Sequence, residues 1–473
     1  MSCAVTFART IDATDCLAAA GLPAADVDAW LRTEPGEATD FAADRARFSA
    51  YWQASARMLG RLPHKPGRNA REHAAATLIQ DKARNARVSF LRRHGDAVYD
   101  AVTQQRSRFV RVEELVIRAA DVVPGLVPTQ QDLAAEDGLI QRDKNGLEID
   151  QGLFLSAVLG SERCGRHLCH AMLLPRAEAQ ALLPQFQRDG VIELSGASVR
   201  RAGKAAVVTQ NNPRFLNAED QGSLDGAEIC VDLALLDPAS EIAVMRGAVV
   251  EHPKYKGRHV FGAGINLTHL YHGRIPFVWY LKRDLGYVNK IYRGLAFADD
   301  APPDEFGGDT IEKPWIAAVE SFAIGGHCQI LLVMDYVLAE RGAFLTLPAR
   351  KEGIIPGAAN MRLPRFTGDR IARQAIQYER RLDCDSVEGR LICDEIVPTG
   401  EMDAAIERVV KGLTNSGVVS AASNRRAFRI TQEPLDTFRA YCAVYAREQA
   451  YCHFSPALIA NLERYWNAQS RKP

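Results

Sequence analysis

The spacing of apolar positions changes once along this chain, near Gly190. Before it, stretches rich in Ala, Arg, Gln and Leu, all good helix formers, are separated by turn signals at Pro63, Pro66-Gly67, His94-Gly95, Pro124-Gly125, Pro128 and Asn145-Gly146. Within them Leu153, Phe154, Ala157 and Val158 recur at helical spacing, which predicts a packed helix face. After Gly190 the apolar residues come in short runs. Val191–Leu194, Ala205–Thr209, Ile242–Met245, Val260-Phe261, Trp315–Val319 and Tyr336–Ala339 read as buried strands, with connections long enough for parallel crossovers. From about Glu401 the pattern returns to helix, with Ala404, Ile406, Val409 and Leu413 forming one stripe. The predicted class is α/β, with a helical N-terminal domain over residues 1–195 and a strand-and-helix domain with C-terminal helices over 196–473.

Two glycine-rich turns stand out against this pattern. Phe261-Gly262-Ala263-Gly264-Ile265-Asn266-Leu267 and Phe322-Ala323-Ile324-Gly325-Gly326-His327-Cys328-Gln329 each follow a β-like run and lead into a helix-like one. Glycine lets backbone approach a ligand with no Cβ in the way, and two N–H groups converging on one carbonyl oxygen make an oxyanion hole. Taken singly, each turn also reads as a tight strand-to-helix connection.

Composition narrows the classes. The chain has 473 residues, 47% of them hydrophobic, enough for a large core. Lys plus Arg and Asp plus Glu both number 58, so no global charge calls for nucleic acid or an anionic membrane as partner. No stretch is long and apolar enough to span a bilayer, and the start lacks the pattern of a secretory signal. Ten cysteines without repeated CxxC spacing fit reduced thiols in a cytoplasm. Cys164, His167, Cys169 and His170 cluster without a four-ligand zinc spacing, so no metal site is expected.

The order, spacing and flanks of the two turns resemble the crotonase (enoyl-CoA hydratase/isomerase) superfamily from about Val199 to Leu413. The resemblance includes Gln210-Asn211-Asn212-Pro213, Leu216-Asn217-Ala218, Asp335, Gly353–Ala358 and Cys393–Pro398. It implies a crotonase-like ββα spiral domain in which the backbone N–H groups of Ile265 and Gly326 hold the thioester oxygen of an acyl-CoA. An oxygen held this way favours the enolate formed when the adjacent carbon loses a proton. The hydratases carry glutamates where this chain has Gln329 and Ala349, and neither an amide nor a methyl can move a proton near neutral pH. Hydration is therefore disfavoured.

A closer resemblance is to the long crotonase-like, cofactor-independent (3,5-dihydroxyphenyl)acetyl-CoA dioxygenases of glycopeptide-antibiotic biosynthesis. It is carried by Leu216–Asp220, Ala263–Leu267, Asp284–Tyr287 with Lys290-Ile291 and Arg293-Gly294, Glu312–Trp315, Phe322–Gly326, Gln329 and Lys351–Asn360. It implies that an arylacetyl-CoA loses a Cα proton, that the enolate meets O2 without metal or organic cofactor, and that arylglyoxylate and CoA result. Glu219, Arg283 and Gln329 would hydrogen-bond ring hydroxyls, and Ile265 and Ile354 would line an O2 pocket. The resemblance also implies a homo-oligomer, a trimer or a hexamer.

Each residue has a plainer reading beside this one. Glu219 reads equally as an exposed helix-entry carboxylate, Arg283 as part of a charged face with Lys282 and Asp284, Gln329 as a partner of local backbone, and Ile354 as core. His327 stands where most relatives have glycine and reads either as a ring-hydroxyl partner or base in the site, or as a packed side chain. Cys328 reads as a nucleophile or a small buried hydrophobe. Lys254, Lys256 and Arg258 read as contacts for CoA phosphates or as a solvated loop. The pattern does not single out the base that takes the Cα proton.

Overall fold

In the computed structural model, residues 13–298 and 310–472 are described below. The extreme N-terminus, read above for a secretory signal, lies outside them.

Among the described residues, ten strands form two sheets. The larger runs in the order β1 (Val191–Leu194), β2 (Ala197–Ala202), β3 (Ala205–Gln210), β4 (Ile242–Gly247), β5 (Trp315–Val319), β7 (Tyr336–Glu340) and β10 (Glu395–Val397). β1, β2 and β3 pair antiparallel, and every pairing from β3 to β10 is parallel. The parallel strands are covered on both faces, and all five residues of β5 are buried, which is why they read as continuous apolar runs. The smaller sheet holds β6 (Phe322–Ile324), β8 (Phe344–Thr346) and β9 (Leu382-Asp383).

The helical N-terminal region ends with the helix Ala177–Asp189, and β1 already belongs to the large sheet. A boundary after residue 195 therefore falls in the turn of the β1–β2 hairpin. One hydrophobic cluster runs from Leu17 through Phe154, Leu168, Phe277 and Tyr445 to Leu462, so the N-terminal helices and one face of the sheet share a core, while Val244, Ile316 and Leu338 on the other face pack with Val409 in a second cluster. The face carrying Leu153, Phe154 and Val158 is buried in the helix Ile149–Gly160, as its spacing predicts.

Three expectations are corrected. His94-Gly95 is no turn: it lies inside the 33-residue helix Ala70–Val102, which opens on a capping box of Asn69 and Glu72. A Cβ on Gly95 would sit 3.4 Å from the Ala157 Cβ, so the glycine serves close helix approach, while His94 Nε2 meets Asp44 Oδ2 at 2.8 Å. Val260-Phe261 is not a strand, because the segment makes only isolated bridges on either side, Val249 with His259 and Gly262 with Ala323. In the helix Met402–Thr414 the buried positions are Met402, Ala405, Val409, Val410 and Thr414; Ile406 and Leu413 pack against the same cluster as Val409, and of the expected stripe only Ala404 faces solvent.

Candidate active site

The two glycine turns lie side by side. Gly262 N–H donates to Phe322 O at 3.4 Å and Ile324 N–H donates to Gly262 O at 3.0 Å, making a parallel bridge between the turns. Gly264 has φ 78°, and a Cβ there would lie 2.9 Å from Ile324 O and 3.2 Å from Gly326 N, so this contact requires glycine. On its other edge the first turn pairs with Glu219: Glu219 N–H donates to Gly264 O and Asn266 N–H donates to Glu219 O, both at 2.7 Å. Neither the Ile265 N–H nor the Gly326 N–H is taken by another group among the described residues. Both residues border a small cavity of about 30 Å³.

One wall of that cavity is a saturated polar cluster. Arg283 Nε donates to both Glu219 oxygens at 2.9 and 3.0 Å, and its Nη1 donates to Asp284 Oδ1 at 2.9 Å and Gln329 Oε1 at 3.1 Å. Arg283 Nη2 donates to Gly326 O at 2.8 Å, which ties the cluster to the second glycine turn. All four side chains are buried. Arg283 opens a π-helical turn, Arg283–Tyr287, set between the helices Val278–Lys282 and Val288–Arg293. Glu219 comes from the residue before Asp220, which caps the helix Gln221–Leu236, and Gln329 comes from the helix after the second turn. Burial raises the Glu219 and Asp284 carboxyls above their ordinary range, with Arg283 opposing the rise. Glu219, Arg283 and Gln329, far apart in sequence, thus form one wall, and the exposed-carboxylate and charged-face readings fall away.

Ile265, Ile354 and Ile355 supply apolar surface to the same cavity, and Ile354 also packs against the core. His327 does not line it. The imidazole is fully buried beneath the first turn, where a Cβ on Gly262 would overlap the ring. Its Nδ1 accepts the Gly264 N–H at 3.0 Å and its Nε2 meets Gln210 Oε1, while Gln210 Nε2 donates to Tyr287 O–H at 2.6 Å. This fixes the neutral Nε2–H tautomer, and burial together with the Arg283 cation pulls its pKa down to about 3. The expectation that His327 binds substrate is therefore corrected: its nitrogens are spent on the backbone and on Gln210.

Cys328 is also buried, and burial pushes its thiol up to about 12, so it remains a protonated hydrophobe. Lys254, Lys256 and Arg258 are exposed and border no part of the cavity, with Arg258 Nη2 paired to Glu340 at 2.7 Å. His167 Nδ1 bonds Tyr99 O–H at 2.7 Å and His170 Nε2 bonds Phe297 O at 2.9 Å, so the two imidazoles serve different partners. Sequence reasoning missed Glu352. It ends the short helix Ala349–Glu352, one turn past the Ala349 methyl, and borders the cavity beside the second glycine turn. The available signal was a lone carboxylate between Ala349 and the apolar Ile354-Ile355.

The enoyl-CoA hydratase/isomerase family model matches residues 309–443. A (3,5-dihydroxyphenyl)acetyl-CoA 1,2-dioxygenase of Amycolatopsis orientalis is 46% identical over 394 residues, covering 83% of this chain and 89% of that protein. The chain belongs to the crotonase superfamily, in the family of that dioxygenase. A short-chain-enoyl-CoA hydratase of Clostridium acetobutylicum is 28% identical over 253 residues, 53% of this crotonase chain and 87% of the hydratase. Among solved structures, an enoyl-CoA hydratase from Mycobacterium avium subsp. paratuberculosis K-10 aligns with TM-score 0.47 and 21% identity, over 57% of this chain and 98% of its own. The assignment rests on the sequence matches.

Proposed function

We propose that this crotonase is a dioxygenase that converts an arylacetyl-CoA, with (3,5-dihydroxyphenyl)acetyl-CoA as the best-fitting substrate, and O2 to an arylglyoxylate and CoA. The observation that carries the reading is the cavity's division into a hydrogen-bonding wall and an apolar wall around the two glycine turns. The N–H groups of Ile265 and Gly326 are free to donate to a thioester oxygen and to favour the enolate over the neutral thioester. Glu219 keeps acceptor lone pairs beyond those given to Arg283, and Gln329 keeps its amide N–H donors, so this wall selects a ring that carries hydroxyls. O2 is apolar and is retained by walls such as Ile265 and Ile354. The enolate carbon adds O2, the peroxide attacks the thioester carbon, the C–S bond breaks, and O–O cleavage with loss of the second Cα proton leaves the keto acid and CoA thiol.

The reading takes no metal and no organic cofactor, following the family resemblance. Chelator-treated protein, supplied with (3,5-dihydroxyphenyl)acetyl-CoA in an oxygen electrode, is expected to consume one O2 for each CoA released. Release of CoA without O2 uptake would make the protein a thioester hydrolase, and binding without turnover across a panel of arylacetyl-CoAs would make it a binding protein.

A further inference from the structure

A base that removes a carbon-bound proton needs a lone pair that nothing else holds, within reach of the carbon next to the thioester carbonyl. The carbonyl's place is set by the Ile265 and Gly326 N–H groups, so the titratable groups bordering the same cavity are the candidates. Glu219 and Asp284 are both engaged by Arg283, which carries no proton-accepting site of its own. Tyr280 and Tyr445 are held protonated by burial. Glu352 is different. Its residue is 4% exposed, and among the described residues no donor or cation engages its carboxylate. Its Oε1 lies 3.7 Å from where a Cβ on Gly325 would stand, next to the turn that supplies the Gly326 N–H.

We infer that Glu352 is the catalytic base, its carboxylate taking the Cα proton of the acyl-CoA bound at the Ile265 and Gly326 N–H groups. The C–H electron pair passes into the enolate, the proton stays on Glu352, and the neutral carboxyl then faces the cavity as a donor for the departing CoA thiolate. An unpaired carboxylate in such a place is costly when charged, which is what makes it basic. Burial, with the repulsion of Glu379 behind it, pushes the Glu352 carboxyl up to about 7, a value matched to proton transfer near neutrality. Glu379 is itself paired with Arg350 and Lys351, so no cation is left over for Glu352 on that side.

The inference rests on an acyl-CoA enolate, as the proposed function does, but it is tested without O2. Wild-type protein and Glu352→Gln are incubated anaerobically in D2O with (3,5-dihydroxyphenyl)acetyl-CoA, and Cα deuteration is followed by mass spectrometry. The wild type is expected to exchange, faster as pH rises through about 7. Glu352→Gln is expected to lose at least about 100-fold of that rate, together with its pH limb, while thioester binding by calorimetry is retained. Should the amide variant fail to fold, Glu352→Asp carries the test, with a reduced rate and the pH limb kept. Exchange by Glu352→Gln within threefold of wild type overturns the assignment, as does absence of wild-type exchange beside intact O2-dependent turnover. Exchange that depends on Glu352 in a protein that consumes no O2 sinks the dioxygenase reading and leaves the base in place.

Discussion

The two walls of the cavity carry the same functional group in opposite states. On one, Glu219 and Asp284 share the Arg283 guanidinium, which also reaches Gln329 and the Gly326 carbonyl. On the other, Glu352 is equally buried and has no partner among the described residues. A carboxylate spent on a cation is fixed in place and charged, and serves recognition. One left open costs stability when it ionises, and that cost is the source of its reactivity.

The contrast breaks most severely at Arg283. Arg283→Met leaves two buried carboxylates without their cation and is expected to cost about 3–5 kcal/mol of stability by denaturant titration. Glu352→Gln removes no partner and is expected to leave stability at pH 8 unchanged or higher, while proton exchange collapses. Equal losses in the two variants would erase the distinction between the walls.

A smaller effect sharpens the comparison through pH. In the folded chain Glu352 holds its proton up to about 7, against an ordinary value of 4.5. The native state therefore binds more protons than the unfolded state between these values. Its contribution is fully present below about pH 4.5 and is lost as pH rises through about 7, on the order of 3 kcal/mol in all. The difference between wild-type and Glu352→Gln unfolding free energies across pH 5 to 8 isolates this slope, and a flat difference would show an ordinary carboxylate.

The smallest effect belongs to His327. His327→Ala frees the Gly264 N–H without touching either wall, and kcat is expected to fall about tenfold with KM and the pH profile little changed. A shift of the pH profile would instead mean that the imidazole itself titrates in the reaction.

Much of this arrangement was legible in the chain. The apolar runs of β3, β4, β5 and β7 showed themselves because buried parallel strands leave an unbroken hydrophobic signature. β6, β8 and β9 are two or three residues long, too short for any period to register. Gly95 misled because a glycine kept for close helix packing looks the same in sequence as one kept for a turn. Glu219, Arg283 and Gln329 could be named from resemblance, but their mutual saturation depends on a π-turn that no local propensity announces. Glu352 escaped notice because its role comes from the partners it lacks, and a missing partner leaves no mark in the sequence.

The imidazole beneath Gly262 also constrains how this chain can change over generations. Any side chain at position 262 would strike the ring, while loss of the ring would open a void that a methyl at 262 could fill. Two positions 65 apart, neither of which lines the cavity, are thereby bound to vary as a pair, and descendants that give up His327 should be the ones in which Gly262 is no longer obligatory.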